Sequence, residues 1–154
     1  MKKNNGGFSL LEFIVIVAVI AVLLGVLTPH YIRYLERSRI RHDDSIVTDI
    51  RDAANKLILE QKYFETVTGD VTVYIDNQGV VSQVSGIGVG TSTVGQEFLD
   101  EINITVYGTA TPSGGFTSKS YSTATNVYIN LHYDASLYTF VPQYYNFPEN
   151  SVYY

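Results

Sequence analysis

Apolar residues are unevenly spread along this chain. From Phe13 to Leu27 every position is apolar or glycine, and residues 8–27 hold only two polar side chains, Ser9 and Glu12. As an α-helix, a run of that length is roughly 30 Å long, about one membrane hydrocarbon thickness. Thr28-Pro29 follows. Proline removes a backbone donor and crowds the preceding turn, so a kink or melted turn is expected around Gly25 and Pro29; the alternative is a helix end at Thr28. The pattern then changes. Ile46, Val47, Ile50, Ala53, Ala54, Leu57 and Ile58 recur at spacings of three and four, with Arg51, Asp52, Asn55, Lys56 and Glu60 between them. This predicts an amphipathic helix to about Tyr63, with a stripe suited to packing on a sheet.

The second half reads as strands. "VTVYI" (residues 71–75) and "VVSQV" (80–84) flank Asp76-Asn77-Gln78-Gly79, which predicts a hairpin with a glycine-bearing loop. "GIGVGTSTVG" (86–95) predicts a loop, residues 96–101 a single helical turn, and "INITVYG" (102–108) a third strand. The Ser/Thr/Gly-rich residues 109–125 predict a surface loop. "NVYINLHYD" and "LYTFVPQYY" predict a last hairpin around Asp134-Ala135-Ser136, with Val127, Ile129 and Leu131 on one face and Pro142 at an edge or strand end. The expected fold is α+β: a long N-terminal α-helix, apolar and then amphipathic, on a four- to five-stranded antiparallel sheet. The expected organisation is residues 1–7, 8–28, 29–63 and 64–154.

Composition narrows the chemistry. Cysteine is absent, which excludes a disulfide framework, a thiolate metal site and a cysteine nucleophile. Net charge is −5, and beyond Lys62 the only base is Lys119, against eight acids. That acidic, tyrosine-rich part argues against a nucleic-acid partner. His30, His42 and His132 are scattered with no triad or HExxH spacing, and His132 falls outward on its strand. Asp43-Asp44 and Asp100-Glu101 lack the frame of a calcium loop. "GIGVGTSTVG" lacks the lysine of a phosphate-binding loop. No metal, cofactor or catalytic site is expected. Asn103-Ile104-Thr105 spells a glycosylation sequon, but inside a predicted strand, so the Ser/Thr-rich loop is the better place for glycans.

The apolar run itself has three readings. A cleaved secretory signal suits Lys2 and Lys3, but no A-x-A site follows and Glu12 sits where such signals are uncharged. A permanent single-span anchor fits the length but gives no reason for Glu12. A carboxylate deep in a bilayer costs roughly 2.5–3.5 kcal/mol on insertion scales, and less near one end of the span. Lys2 and Lys3 place the N-terminus in the cytoplasm, whereas Arg33, Arg37, Arg39 and Arg41 oppose that orientation.

The third reading rests on "GGFSLLEF" (residues 6–13), preceded by the basic Lys2 and Lys3. This stretch resembles the processing site of type IV prepilins: a short basic leader ending in glycine, then Phe, then small and aliphatic residues, then Glu fifth after the cut. Ser9 and Phe13 depart mildly from the commonest pattern. The resemblance covers roughly residues 1–41 and extends to Pro29. It implies cleavage between Gly7 and Phe8 by a membrane prepilin peptidase, and N-methylation of Phe8. It also implies a role for Glu12 in aligning subunits, and a helix that can melt near Pro29 on assembly. A Gram-positive-type pilin is one form this could take.

Methylation leaves the Phe8 amine charged. Glu12 lies one helical turn away, so an axial offset of that size between stacked copies brings Glu12 of one to the amine of the next. The resemblance therefore implies a pilus subunit rather than an enzyme. It is held in the cytoplasmic membrane and then drawn by assembly machinery into a filament of its own copies at the cell surface. Adhesion, motility, aggregation and DNA uptake are the activities such filaments serve. The rivals are a pseudopilin of a secretion or competence system and a signal-anchored binding domain. "RYLERSRIRHDD" (33–44) has almost no apolar face. It is expected to be exposed, its basic and acidic halves either pairing between stacked subunits or facing solvent.

Overall fold

A computed structural model describes residues 9–88, 92–124, 127–137 and 139–153, with the side chain of Ser92 excepted. Helix α1 spans Leu10–Ile58, and a short helix α2 spans Gln61–Phe64. Strands β1 (Val67–Ile75) and β2 (Val81–Ile87) lead to α3 (Ser92–Tyr107) and the one-turn α4 (Lys119–Ser122). Strands β3 (Val127–Asp134) and β4 (Thr139–Tyr145) complete a four-stranded sheet of order β2-β1-β3-β4, antiparallel throughout. The architecture is the expected α+β. Contacts divide the chain into two units, one ending at Glu36 and the other running from Arg37 to Tyr154.

The second unit is a packed head. Its part of α1 buries Ile40, Ile46, Val47, Ile50, Ala53, Ala54, Leu57 and Ile58, the stripe that the spacing predicts. These residues share one core with Val71, Val73, Ile75, Val127, Ile129, Leu131 and Phe140 from the inner face of the sheet. Burying each of the larger side chains contributes roughly 1.5–3 kcal/mol. The helix stops short of Tyr63: Glu60 N–H donates to the Leu57 carbonyl, and α2 starts afresh at Gln61.

The first hairpin closes as expected. Asp76 Oδ1 accepts from the backbone N–H groups of Gln78 and Val80, both at 2.9 Å, while Gly79 takes φ +84°. The last hairpin also stands where predicted, and Pro142 lies on the edge strand β4.

Residues 102–108 overturn the expectation of a third strand: they belong to the 16-residue helix α3, apart from Gly108. Ile102, Ile104 and Val106 alternate as a strand would, but Phe98, Leu99 and Ile102 are the buried set, with Val94 and Val106 packed beside them. That is helical spacing, and tertiary packing outweighs the β preference of the branched residues. Asn103 shows what the helix gains. Its side chain is buried, accepting from Val81 N–H at 3.2 Å and donating to the Val81 carbonyl at 3.1 Å, so one amide caps the exposed edge of β2. Gly108, at φ +76°, returns its N–H to the Ile104 carbonyl and ends the helix.

The two loop predictions shift with it. Of residues 86–95, Gly86 and Ile87 lie in β2 and residues 92–95 in α3, while 89–91 lie outside the described residues. Residues 109–125 are not simply a surface loop, since Ser118 and Tyr121 are buried; Thr125 lies outside the described residues.

Gly86 is the tightest backbone position. It adopts φ +87° opposite an irregularity in β1, and an added Cβ would lie 2.1 Å from the Asp70 carbonyl oxygen. Gly69 also has positive φ, +116°, but open space around it. Gly86→Ala is therefore expected to destabilise the head by more than about 2 kcal/mol, and Gly69→Ala by about 1–2 kcal/mol. Urea titration of both variants measures the order, and equal losses would contradict it.

Candidate functional site

The N-terminal part of α1 places Glu12 in its first turn. Phe13 N–H donates to the Ser9 carbonyl at 3.1 Å, which starts the helical ladder. Glu12 has no ion pair or side-chain hydrogen bond among the described residues. The side chains that follow are exposed, from 77% at Leu10 to 41% at Ile16, and no residue of the most apolar 18-residue stretch is buried. A continuous apolar surface of this size marks a membrane or partner contact.

Gly25 and Pro29 both lie inside α1, which is continuous through them. Neither a helix end at Thr28 nor a melted turn is found. Pro29 has no N–H for the Gly25 carbonyl, and Thr28 Oγ1 donates to the Leu24 carbonyl at 2.6 Å. Gly7 and Phe8, the expected cleavage and methylation positions, lie outside the described residues.

In the head, the residues whose role the sequence leaves open take definite places. Asp43 and Asp44 are 0% and 5% exposed. The expectation that residues 33–44 form an exposed segment fails at Ile40, Asp43 and Asp44, all buried. Asp43 Oδ1 accepts from Thr117 N–H at 2.9 Å and from the Thr117 hydroxyl at 3.1 Å; Oδ2 accepts from Ser118 N–H at 2.8 Å. Asp44 Oδ1 accepts from the Tyr121 hydroxyl at 2.6 Å and from Ser151 Oγ at 2.7 Å; Oδ2 accepts from Val152 N–H at 3.2 Å. Tyr153 adds contacts from its hydroxyl to Thr48 Oγ1 and the Asp44 carbonyl. The pair is thus an internal clamp, so pairing of its carboxylates between subunits is excluded by their burial. The signal was legible: Ile40, Asp43, Asp44, Val47 and Ile50 share one helical phase, so two acids fall on the buried stripe.

The other polar candidates are structural or exposed. Lys62 reaches Glu97 at 3.0 Å and Glu101 at 3.4 Å, and Glu97 above all holds its ammonium charged to high pH. Asp100 accepts from Gln96. His132 is exposed as expected and contacts Asp70 at 2.6 Å; His30 and His42 are also exposed. Asn103 is buried, which removes the acceptor amide of the sequon from the surface, although Ile104 and Thr105 are exposed. Among the described residues no group of three or more His, Asp or Glu could hold a metal.

Comparison with known proteins points to the N-terminal helix. The family model of the prokaryotic N-terminal methylation motif matches residues 2–28. The chain carries that motif. A fimbrial protein of Pseudomonas aeruginosa is 35% identical over 60 residues, which is 39% of this chain and 39% of that one. A type IV major fimbrial protein of Dichelobacter nodosus is 32% identical over 62 residues, 40% of each. The chain thus spans about two fifths of the length of the curated relatives it matches. No solved structure gives a significant match. A motif-bearing apolar helix ahead of a four-stranded antiparallel head is consistent with the type IV pilin fold.

Burial, and next the bond to Asp44, push the Tyr121 hydroxyl well above the usual phenol range; burial likewise pushes Tyr63 and Tyr107 up to about 12. Raised folded-state values mean that stability is full below the unfolded tyrosine value of about 10 and is lost as pH rises through the folded values. The head should therefore lose stability above about pH 10, and Tyr121→Phe should flatten that alkaline slope while lowering stability near pH 7 by about 1–3 kcal/mol. Denaturant titration across pH measures both. An unchanged alkaline slope in Tyr121→Phe contradicts the assignment.

Proposed function

We propose that the chain is the structural subunit of a type IV pilus. It is made as a membrane-anchored precursor, cut after Gly7 and N-methylated at Phe8. The observation that carries this reading is the wholly exposed apolar helix with one carboxylate, Glu12, in its first turn, inside a matched methylation motif. The names of the fimbrial relatives support a structural role rather than an enzymatic one.

In this reading residues 1–7 are the leader, 8–28 the membrane and filament-core helix, 29–63 the amphipathic segment and 64–154 the β-rich remainder. The partners are a prepilin peptidase, the assembly machinery and further copies of the chain. The location is the cytoplasmic membrane first and the cell surface afterwards. The cut leaves a cationic amine on Phe8, about 6 Å along the helix from Glu12. Neighbouring copies offset by that rise pair amine with carboxylate, and two charges that are costly alone in apolar surroundings offset each other. The carbonyl of Gly25, left without a donor by Pro29, is the point at which the helix bends most easily during extraction from the membrane. Adhesion, motility, aggregation and DNA uptake are the roles open to the finished filament.

Mass spectrometry of the native N-terminus tests the processing. The expected mature chain begins at methylated Phe8; an intact Met1, or a cut near Leu27, overturns the reading. Glu12→Ala tests the pairing. The variant should insert into the membrane and be cleaved normally, yet yield few or no filaments by electron microscopy. Filaments of ordinary number and length from that variant would sink the pairing argument.

A further inference from the structure

The apolar run ends at Leu27, and within three residues the chain reads "HYIRY", residues 30–34. All five side chains are exposed, Tyr31 at 62% and Tyr34 at 68%. The side chains of Tyr31, Arg33 and Tyr34 have no hydrogen bond or ion pair among the described residues. Two tyrosines and an arginine directly beyond a bilayer-length apolar helix match the chemistry of a membrane–water boundary. There an aromatic ring rests among acyl chains with its hydroxyl in the headgroups, and a guanidinium binds phosphate with two parallel hydrogen bonds.

The dimensions agree. Tyr31, Arg33 and Tyr34 follow Leu27 by four, six and seven residues, about 6, 9 and 10 Å along a helix. A headgroup layer is about 5–7 Å deep on each side of the hydrocarbon. Helical side chains lean toward the N-terminus, which here is back toward the apolar run, so all three fall within reach of that layer. Successive residues turn by about 100°, so Tyr31 and Tyr34 share one face while Arg33 projects from another side, about 160° from Tyr31. A face that docks on another protein keeps its anchors on one side, whereas lipid headgroups surround a lone helix and reach both.

We propose that residues 30–34 form an interfacial collar that binds lipid headgroups and fixes the depth of the precursor in the bilayer. Tyr31 sits at the level of the lipid esters, and Arg33 and Tyr34 reach the headgroup phosphates above it, Arg33 on an anionic lipid. The proposal rests on the membrane-anchored state of the proposed function.

The chain has no tryptophan, so Tyr31→Trp introduces a single fluorescent indole as the collar reporter. Val17→Trp, in a separate variant, gives a reference reporter within the apolar run. Each full-length variant is reconstituted at low density in vesicles of phosphatidylcholine, with or without phosphatidylglycerol. The emission of the collar reporter is expected to shift to shorter wavelength and to be quenched most by lipids brominated near the glycerol end of the acyl chain. Phosphatidylglycerol should further protect it from acrylamide, and adding Arg33→Gln should abolish that extra protection. A collar reporter open to acrylamide, while the reference reporter is shielded, overturns the collar and leaves the span intact. Protection of the collar reporter that appears only at high protein density assigns the segment to a second copy, and also overturns the collar. If the reference reporter is itself open to acrylamide, the anchored state fails and the collar falls with it.

Discussion

The head is organised by two adjacent buried carboxylates, Asp43 and Asp44, on the packed part of α1. A buried carboxylate without partners is among the costliest groups a protein can hold. Among the described residues these two accept at least three hydrogen bonds each. The donors come from two regions remote in sequence. Asp43 holds Thr117 and Ser118, while Asp44 holds Tyr121, Ser151 and Val152. One helical turn thereby fixes the segment leading into α4 and the C-terminal segment after β4. Removing either acid strands several donors at once, so the energy is concentrated in very few atoms.

This clamp also answers how a head without cysteine closes its C-terminal segment. Asn146, at φ +61°, turns the chain after β4, and Phe147 then packs against Tyr121, Tyr144 and Tyr153. The aromatic cluster supplies apolar burial, while Asp44 supplies direction. Arg51 strengthens the same corner by donating to the Tyr144 hydroxyl at 3.2 Å, which helps hold its guanidinium charged. A cross-link made of hydrogen bonds differs from a disulfide in one respect that matters here: it exists only in the folded state and leaves the unfolded chain unconstrained.

Much of this is legible in the sequence, and the failures have physical causes. The apolar run, the amphipathic stripe and both hairpins follow from periodicity and turn chemistry, because each carries a strong local signal. Residues 102–108 mislead because three alternating branched residues satisfy a strand, while the helical phase emerges only when Val94, Phe98 and Leu99 are read with them. The Ser/Thr-rich stretch misleads because Ser118 and Tyr121 are buried for what they bond to, and a partner as remote in sequence as Asp43 or Asp44 leaves no mark on local composition. Asp43 and Asp44 stand in phase with the stripe, but their charge argues for the surface and hides that position. For the apolar helix, the sequence motif carries more of the functional reading than the geometry, because Gly7 and Phe8 lie outside the described residues.

The chain treats its carboxylates in two opposite ways. In the head, each buried acid has its donors built in. In α1, Glu12 sits ahead of a long apolar surface and has no ion pair or side-chain hydrogen bond among the described residues. The same physical rule governs both: charge removed from water must be met by hydrogen bonds or opposite charge. Where the chain meets that requirement internally, the result is a stable domain. Where the described residues leave the requirement open beside an exposed apolar face, a source of opposite charge is needed. In the pilus reading that source is the Phe8 amine of a neighbouring copy. In that reading the pairing favours one axial register over its neighbours, because any other spacing leaves both charges unpaired in apolar surroundings.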